Sequence, residues 1–203
     1  MDSPGFVIFA AMKRIALFAS GNGSNAQRII EFFKDHNKIS IELVFSNNPG
    51  AYVLERAKNL SVEAILFNRH EFYETDKILK ILLERKIDLI VLAGFLWLIP
   101  KYLLDAFENR IINIHPALLP KYGGKGMYGM RVHEAVIVAG EKESGITIHY
   151  VNEKYDDGQI IFQAKCPVED SDTPESLADK VHQLEHSYFP GVIKSVVMGL
   201  DKK

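Results

Sequence analysis

Short apolar runs alternate along this chain with stretches whose apolar residues recur at helical spacing. Arg14–Ser20 is a nearly continuous apolar run closed by Gly21, the pattern of a strand buried on both faces. Ser24–Lys34 follows, with Ile29, Ile30 and Phe33 at helical spacing. Ile39–Phe45 predicts a second strand, ended by the turn residues Ser46-Asn47-Asn48-Pro49-Gly50. Ala51–Leu60 predicts a helix and Ala64–Phe67 a short strand. Phe72–Lys86, with Ile78, Leu79, Leu82 and Leu83 on one face, predicts one helix. Asp88–Ala93 predicts a strand ending at Gly94, and Arg110–His115 another, stopped by Pro116.

This order argues for an α/β fold, a doubly wound, mostly parallel sheet with helices on both faces. Gly145–Asn152 and Gln159–Ala164 flank Glu153–Gly158 and predict an antiparallel hairpin at the sheet edge. Thr173 reads as an N-cap with Pro174 at the first helical position, opening a long C-terminal helix to about Met198, bent at Pro190-Gly191. Lys121–Met130 is glycine-rich and predicts a mobile surface loop.

Composition narrows the class. The 203 residues are 47% hydrophobic and 25% charged, which excludes a disordered or low-complexity chain. A net charge of −2 gives no basic excess for nucleic acid. The single Cys166 forms no internal disulfide and fits a reducing compartment. The longest apolar run, Leu89–Pro100, is shorter than the about 20 residues of a membrane span. In Gly5–Ala11 the positive charge follows the apolar part, the reverse of a secretory signal. Residues 1–11 therefore read as an N-terminal extension, residues 12–203 as one domain, and the cytoplasm as the location.

Four motifs carry candidate chemistry. Gly21-Asn22-Gly23-Ser24-Asn25-Ala26 lies between the first strand and the first helix. Its glycines permit close backbone approach to a phosphate, and the helix start offers free N–H groups. A dinucleotide site also needs an acid after the second strand, but Ser46-Asn47-Asn48 stands there, so a phosphomonoester fits better than a dinucleotide or an empty turn. Asn113-Ile114-His115-Pro116 puts an amide and an imidazole on one face at a strand's C-terminal end, suitable donors for an oxygen gaining charge or, equally, groups satisfied by loop backbone. Tyr155-Asp156-Asp157-Gly158 reads as a solvated turn or as the source of a carboxylate that favours a protonated His115. His182-Gln183-Leu184-Glu185-His186 matches a zinc-protease pattern, discounted because no third ligand is evident. His133 and His149 read as ordinary structural histidines, and Cys166 as a packing residue.

Taken in order, Gly21-Asn22-Gly23-Ser24-Asn25, Phe45-Ser46-Asn47, Leu92-Ala93-Gly94-Phe95, Asn113-Ile114-His115-Pro116, Leu118-Leu119-Pro120-Lys121-Tyr122 and Glu185-His186 resemble the phosphoribosylglycinamide formyltransferase family from about Met12 to Gly199. The resemblance implies a Rossmann-like formyltransferase fold. It also implies transfer of the formyl group of 10-formyltetrahydrofolate, as cosubstrate, to the amine of glycinamide ribonucleotide in purine synthesis, with no metal. By position it assigns Gly23, Ser24 and Asn25 to the substrate phosphate. His182 falls near that phosphate, and Glu185 on the glycinamide part. Leu92 and Leu96, Trp97, Leu98 and Ile99 match the folate-binding stretch, with Asn113 at its end.

Asn113, a protonated His115 and Asp156 then form the catalytic set around the tetrahedral intermediate. The chain departs from the family in a longer loop at Gly123–Met130 and in Trp97, where many relatives carry Arg or Lys. Formyltetrahydrofolate hydrolase and methionyl-tRNA formyltransferase share the Asn, His and Asp pattern but usually carry a further domain. A dinucleotide-dependent oxidoreductase lacks its acid here. A binding module leaves the three polar residues unexplained. Small-molecule substrates, no nucleic acid, no membrane and a monomer or homodimer are the expected associations.

Overall fold

The computed structural model describes residues 12–200. The expected extension over residues 1–11 lies outside the described residues. Seven strands form one sheet in the order β3-β2-β1-β4-β5-β6-β7. They are β1 (Lys13–Phe18), β2 (Ile39–Ser46), β3 (Glu63–Leu66), β4 (Leu89–Leu92), β5 (Ile111–His115), β6 (Glu143–Tyr150) and β7 (Ile160–Pro167). The first five run parallel, and β6 and β7 pair antiparallel at one edge. Helices α1 (Ser24–Phe33), α2 (Val53–Asn59), α3 (Arg69–Tyr73), α4 (Lys77–Glu84), α5 (Lys101–Ala106), α6 (Met130–Val138) and α7 (Pro174–Gly199) complete the order. The chain winds outward from β1 to β3, then returns to place β4 on the other side of β1. That reversal opens a crevice beyond the C-terminal ends of β1 and β4, where ligands bind in such sheets.

The central strands are buried on both faces, which explains their unbroken apolar sequence. On one face Ile15, Leu17, Val91, Ile112 and Ile114 pack with α1 residues Ile29 and Phe33 and α7 residues Val181, Phe189 and Ile193. On the other an aromatic cluster forms. Phe18 stacks on Phe45 at 4.7 Å and meets Phe95 edge-on at 5.4 Å, and Phe67 stacks on Phe72 at 5.0 Å. Such pairs contribute about 0.5–1.5 kcal/mol each beyond their buried area. Phe95 anchors the segment that leaves β4.

Two sequence expectations change. The helix expected over Phe72–Lys86 is two, because an Asn68–Glu71 capping box starts α3 early and a turn separates Tyr73 from Lys77. Phe72 and Ile78 thereby both reach the core, while Leu83 is exposed. Helices α5 and α6 were not anticipated. At α7 the Thr173 N-cap and the Pro at the first turn are as expected, Ser176 completes a capping box with Thr173, and the helix runs on through Pro190.

Candidate active site

Gly23 caps α1 with φ 77°, and a Cβ there would stand 2.4 Å from Val53 Cγ2. Only glycine lets the loop pass so close to α2 in this left-handed conformation. No side chain caps α1 and its first turn holds no acid. Its N-terminal N–H groups and positive dipole end are thus available to an anion. Arg56 braces the loop from α2, donating through Nε and Nη2 to Asn22 at 2.9 Å each and through Nη1 to Gln27. At the end of β2, Ser20 Oγ donates to Asn47 Oδ1 at 2.7 Å and Asn48 Nδ2 donates to the Ser20 carbonyl at 3.1 Å. Those amides stitch β1 to β2 where a dinucleotide site would present a carboxylate.

A cleft of about 600 Å³ opens at the switch point. Its walls include every candidate residue: Gly23, Ser24 and Asn25 after β1; Leu92, Leu96, Trp97, Leu98 and Ile99 after β4; Asn113 and His115 on β5; Asp156 beyond β6; and His182 and Glu185 on α7. Its size suits a small-molecule ligand. The loop read as a mobile surface element contributes Gly124 to Gly129 to the same walls. Trp97 is half-buried and packs against Phe67, Phe72, Tyr73 and Phe95, with the Arg69 guanidinium 5.8 Å from its ring.

Asn113 and His115 lie two apart on β5 and face the cleft together. His115 is 3% exposed. Its Nε2 donates to the Tyr122 carbonyl at 2.7 Å, so Nε2 bears a proton. Its Nδ1 lies 3.5 Å from Asp156 Oδ2. Asp156 itself adopts φ 52° and accepts from the Gly124 N–H at 2.9 Å. Burial pushes the His115 imidazole below the ordinary histidine value, and Asp156, pulling upward, does not overcome it. This direction runs against the protonated His115 expected from sequence. Desolvation outweighs the neighbouring carboxylate in setting the direction of the shift. Burial by itself raises the Asp156 carboxyl, but the His149 and His115 rings and the Gly124 N–H carry it below the ordinary carboxylate range.

Glu185, 7% exposed, accepts from Asn25 Nδ2 at 2.7 Å and lies 3.0 Å from His182 Nδ1. That bond to Glu185 raises the His182 pKa. The zinc-protease spacing thus serves a hydrogen-bonded pair, and no metal-ligating cluster occurs among the described residues. Cys166 lies half-buried on edge strand β7, with its thiol pKa raised by burial. Among the described residues no helix is long and apolar enough to cross a membrane.

Sequence reasoning missed two cleft histidines. His133 on α6 is buried, its pKa lowered by desolvation, and His149 on β6 lies against Asn113 and Asp156. The alternation of Thr147 and His149 along β6 placed both on one face, but only the pairing of β6 with β5 put that face against the site.

The chain matches the formyl transferase family over residues 13–193. It is 37% identical to the phosphoribosylglycinamide formyltransferase of Bacillus subtilis, covering 95% of this chain and 98% of that one. It is 39% identical to the chloroplastic phosphoribosylglycinamide formyltransferase of Arabidopsis thaliana over 91% of this chain, and it spans 65% of the length of that relative. The crystal structure of phosphoribosylglycinamide formyltransferase from Anaplasma phagocytophilum superposes with a TM-score of 0.84 at 34% identity, covering 92% of this chain and 87% of that chain. The chain belongs to the formyl transferase family, among the phosphoribosylglycinamide formyltransferases.

Proposed function

We propose that this chain transfers the formyl group of 10-formyltetrahydrofolate to the amine of glycinamide ribonucleotide, a step of purine synthesis. The observation that carries the reading is the meeting of Asn113, His115 and Asp156 in one cleft with the uncapped N-terminus of α1. Gly23, Ser24 and Asn25 receive the substrate phosphate there, with Arg56 adding positive charge through Asn22. Glu185, oriented by Asn25 and His182, faces the glycinamide end. Leu92 and the Leu96–Ile99 segment offer a mostly apolar wall with Trp97 set in it, which fits a flat heteroaromatic folate.

The folate cosubstrate supplies an activated formyl carbon. When the amine attacks that carbon, the formyl oxygen gains charge and Asn113 Nδ2 donates to it. Loss of one such donor typically lowers turnover by about 10²–10³. His115 begins neutral with Nδ1 free of its proton, so it can take up the proton the amine sheds. The resulting cation lies between the Asp156 carboxylate and the Tyr122 carbonyl, both of which stabilise it. In that form the His115–Asp156 pair returns the proton to the leaving folate nitrogen. The cation therefore forms during the reaction.

The test follows tetrahydrofolate release from 10-formyltetrahydrofolate with and without glycinamide ribonucleotide. Release that depends on the acceptor is expected. Equal release without it would reassign the chain to hydrolysis, and no release in either arm would overturn the reading.

A further inference from the structure

Asn113 on β5 and His149 on β6 are directly opposed across the antiparallel ladder. Opposed residues share a face, and here the side chains meet, with Asn113 Nδ2 3.2 Å from His149 Nε2. His149 is 2% exposed, and its Nδ1 lies 2.8 Å from the Tyr150 carbonyl oxygen. A carbonyl only accepts, so Nδ1 carries the proton. In the neutral ring that leaves Nε2 as a lone-pair acceptor for its nearest neighbour, Asn113 Nδ2, while Asp156 Oδ1 stands farther off at 3.6 Å, beyond hydrogen-bond reach. Asp156 Oδ1, 3.4 Å from the same Asn113 Nδ2, likewise accepts from it. A rotated amide would set its oxygen against two acceptors, so the orientation of Asn113 is determined by its neighbours.

We infer that His149 is a positioning residue for formyl transfer. Its Nε2 lone pair holds one Asn113 N–H so that the second is aimed at the formyl oxygen. This inference rests on the proposed activity and names a residue that acts through Asn113. The second N–H waits on Asp156 Oδ1 at 3.4 Å, a long bond readily exchanged for a shorter one to an oxygen gaining charge. Gly158 belongs to the same device. A Cβ there would stand 1.7 Å from the Tyr150 carbonyl oxygen, so only glycine lets the hairpin close over the group that keeps His149 Nδ1 protonated.

The experiment compares His149→Gln, whose side-chain oxygen can replace the Nε2 acceptor, with His149→Leu, which fills the space without one. Both are checked for folding by thermal melts. His149→Leu should lose kcat on the order of 10²-fold with little change in either KM, while His149→Gln retains most of the wild-type kcat. Nitrogen-15 NMR of the unliganded wild type should show His149 protonated at Nδ1 and bare at Nε2. Equal kcat for the two variants overturns the inference. A ring protonated only at Nε2 overturns it as well, and that measurement needs no variant to fold. A wild-type protein without acceptor-dependent release overturns the proposed activity instead, and the NMR measurement still reads the Asn113–His149 geometry separately.

Discussion

Asn25, in the first turn of α1, donates a 2.7 Å hydrogen bond to Glu185 on α7, across 160 residues of sequence. The bond joins the start of the chain's first helix to the middle of its last. It holds the phosphate end and the glycinamide end of the proposed substrate site in one frame. The same Glu185 oxygen lies 3.0 Å from His182 Nδ1, so one buried carboxylate orients two neighbours.

Glu185→Gln preserves the shape and removes the charge. The His182 pKa should fall, because its upward shift comes first from the bond to Glu185. The KM for glycinamide ribonucleotide should rise about ten-fold or more, the usual scale for a lost charged hydrogen bond. NMR titration of His182 and steady-state kinetics check the two effects, and a KM unchanged with the His182 shift intact would remove Glu185 from substrate binding.

Asp156→Asn should lower kcat by about 10²–10⁴, the range for loss of an acid–base partner. The sign of its pH effect is also determined. Asp156 raises the His115 pKa against burial, so its removal lets that pKa fall further. The acid limb of kcat/KM should therefore move to lower pH than in the wild type. A profile with an unmoved limb and full turnover would sink the assigned role.

Gly23→Ala should destabilise the protein by about 2–4 kcal/mol, from a strained positive φ and the contact with Val53. A thermal melt should drop by roughly 5–15 °C. The acceptor KM should rise as well, because relieving the clash means shifting the loop that receives the phosphate.

Trp97→Ala removes a half-buried ring from the aromatic cluster and opens the wall assigned to folate. It should cost about 1–3 kcal/mol, less than truncating a fully buried Trp. The donor KM should rise while the acceptor KM stays near its wild-type value. An equal rise in both would place Trp97 in general support of the cleft.

Stability should fall as the solution is made acidic. Burial lowers the pKa of His36, His115, His133 and His186 below the ordinary value of 6.5. Between the folded and unfolded values the unfolded chain binds more protons, so stability rises with pH. The contribution of these rings is complete above about pH 6.5 and is lost as pH falls through their depressed folded values. His182 works in reverse, its stabilisation being lost as pH rises through its raised value, but it is one ring against four. Melting temperatures measured across mildly acidic and neutral buffers should decrease toward acid.

The apolar pattern by itself determined the parallel strands, because β1 and β4, buried on both faces, can tolerate no polar alternation. Thr173-Pro174 likewise announced α7 through local capping chemistry. Gly23, Ser24, Asn25, Asn113 and His115 could be named because they lie at a strand end or a helix start, positions that sequence marks locally. Tertiary structure decided the rest. Helical spacing over Phe72–Lys86 did not reveal the turn that lets Phe72 and Ile78 both reach the core. The spacing of Asp156 from His115 said nothing of how deeply the ring is buried, and desolvation, a property of the packed molecule, set the direction of its pKa shift. His149 looked like any core histidine until the register of β6 against β5 placed it opposite Asn113. Strand register, burial and the balance of charge against desolvation are long-range quantities, so they exist only once the chain has folded.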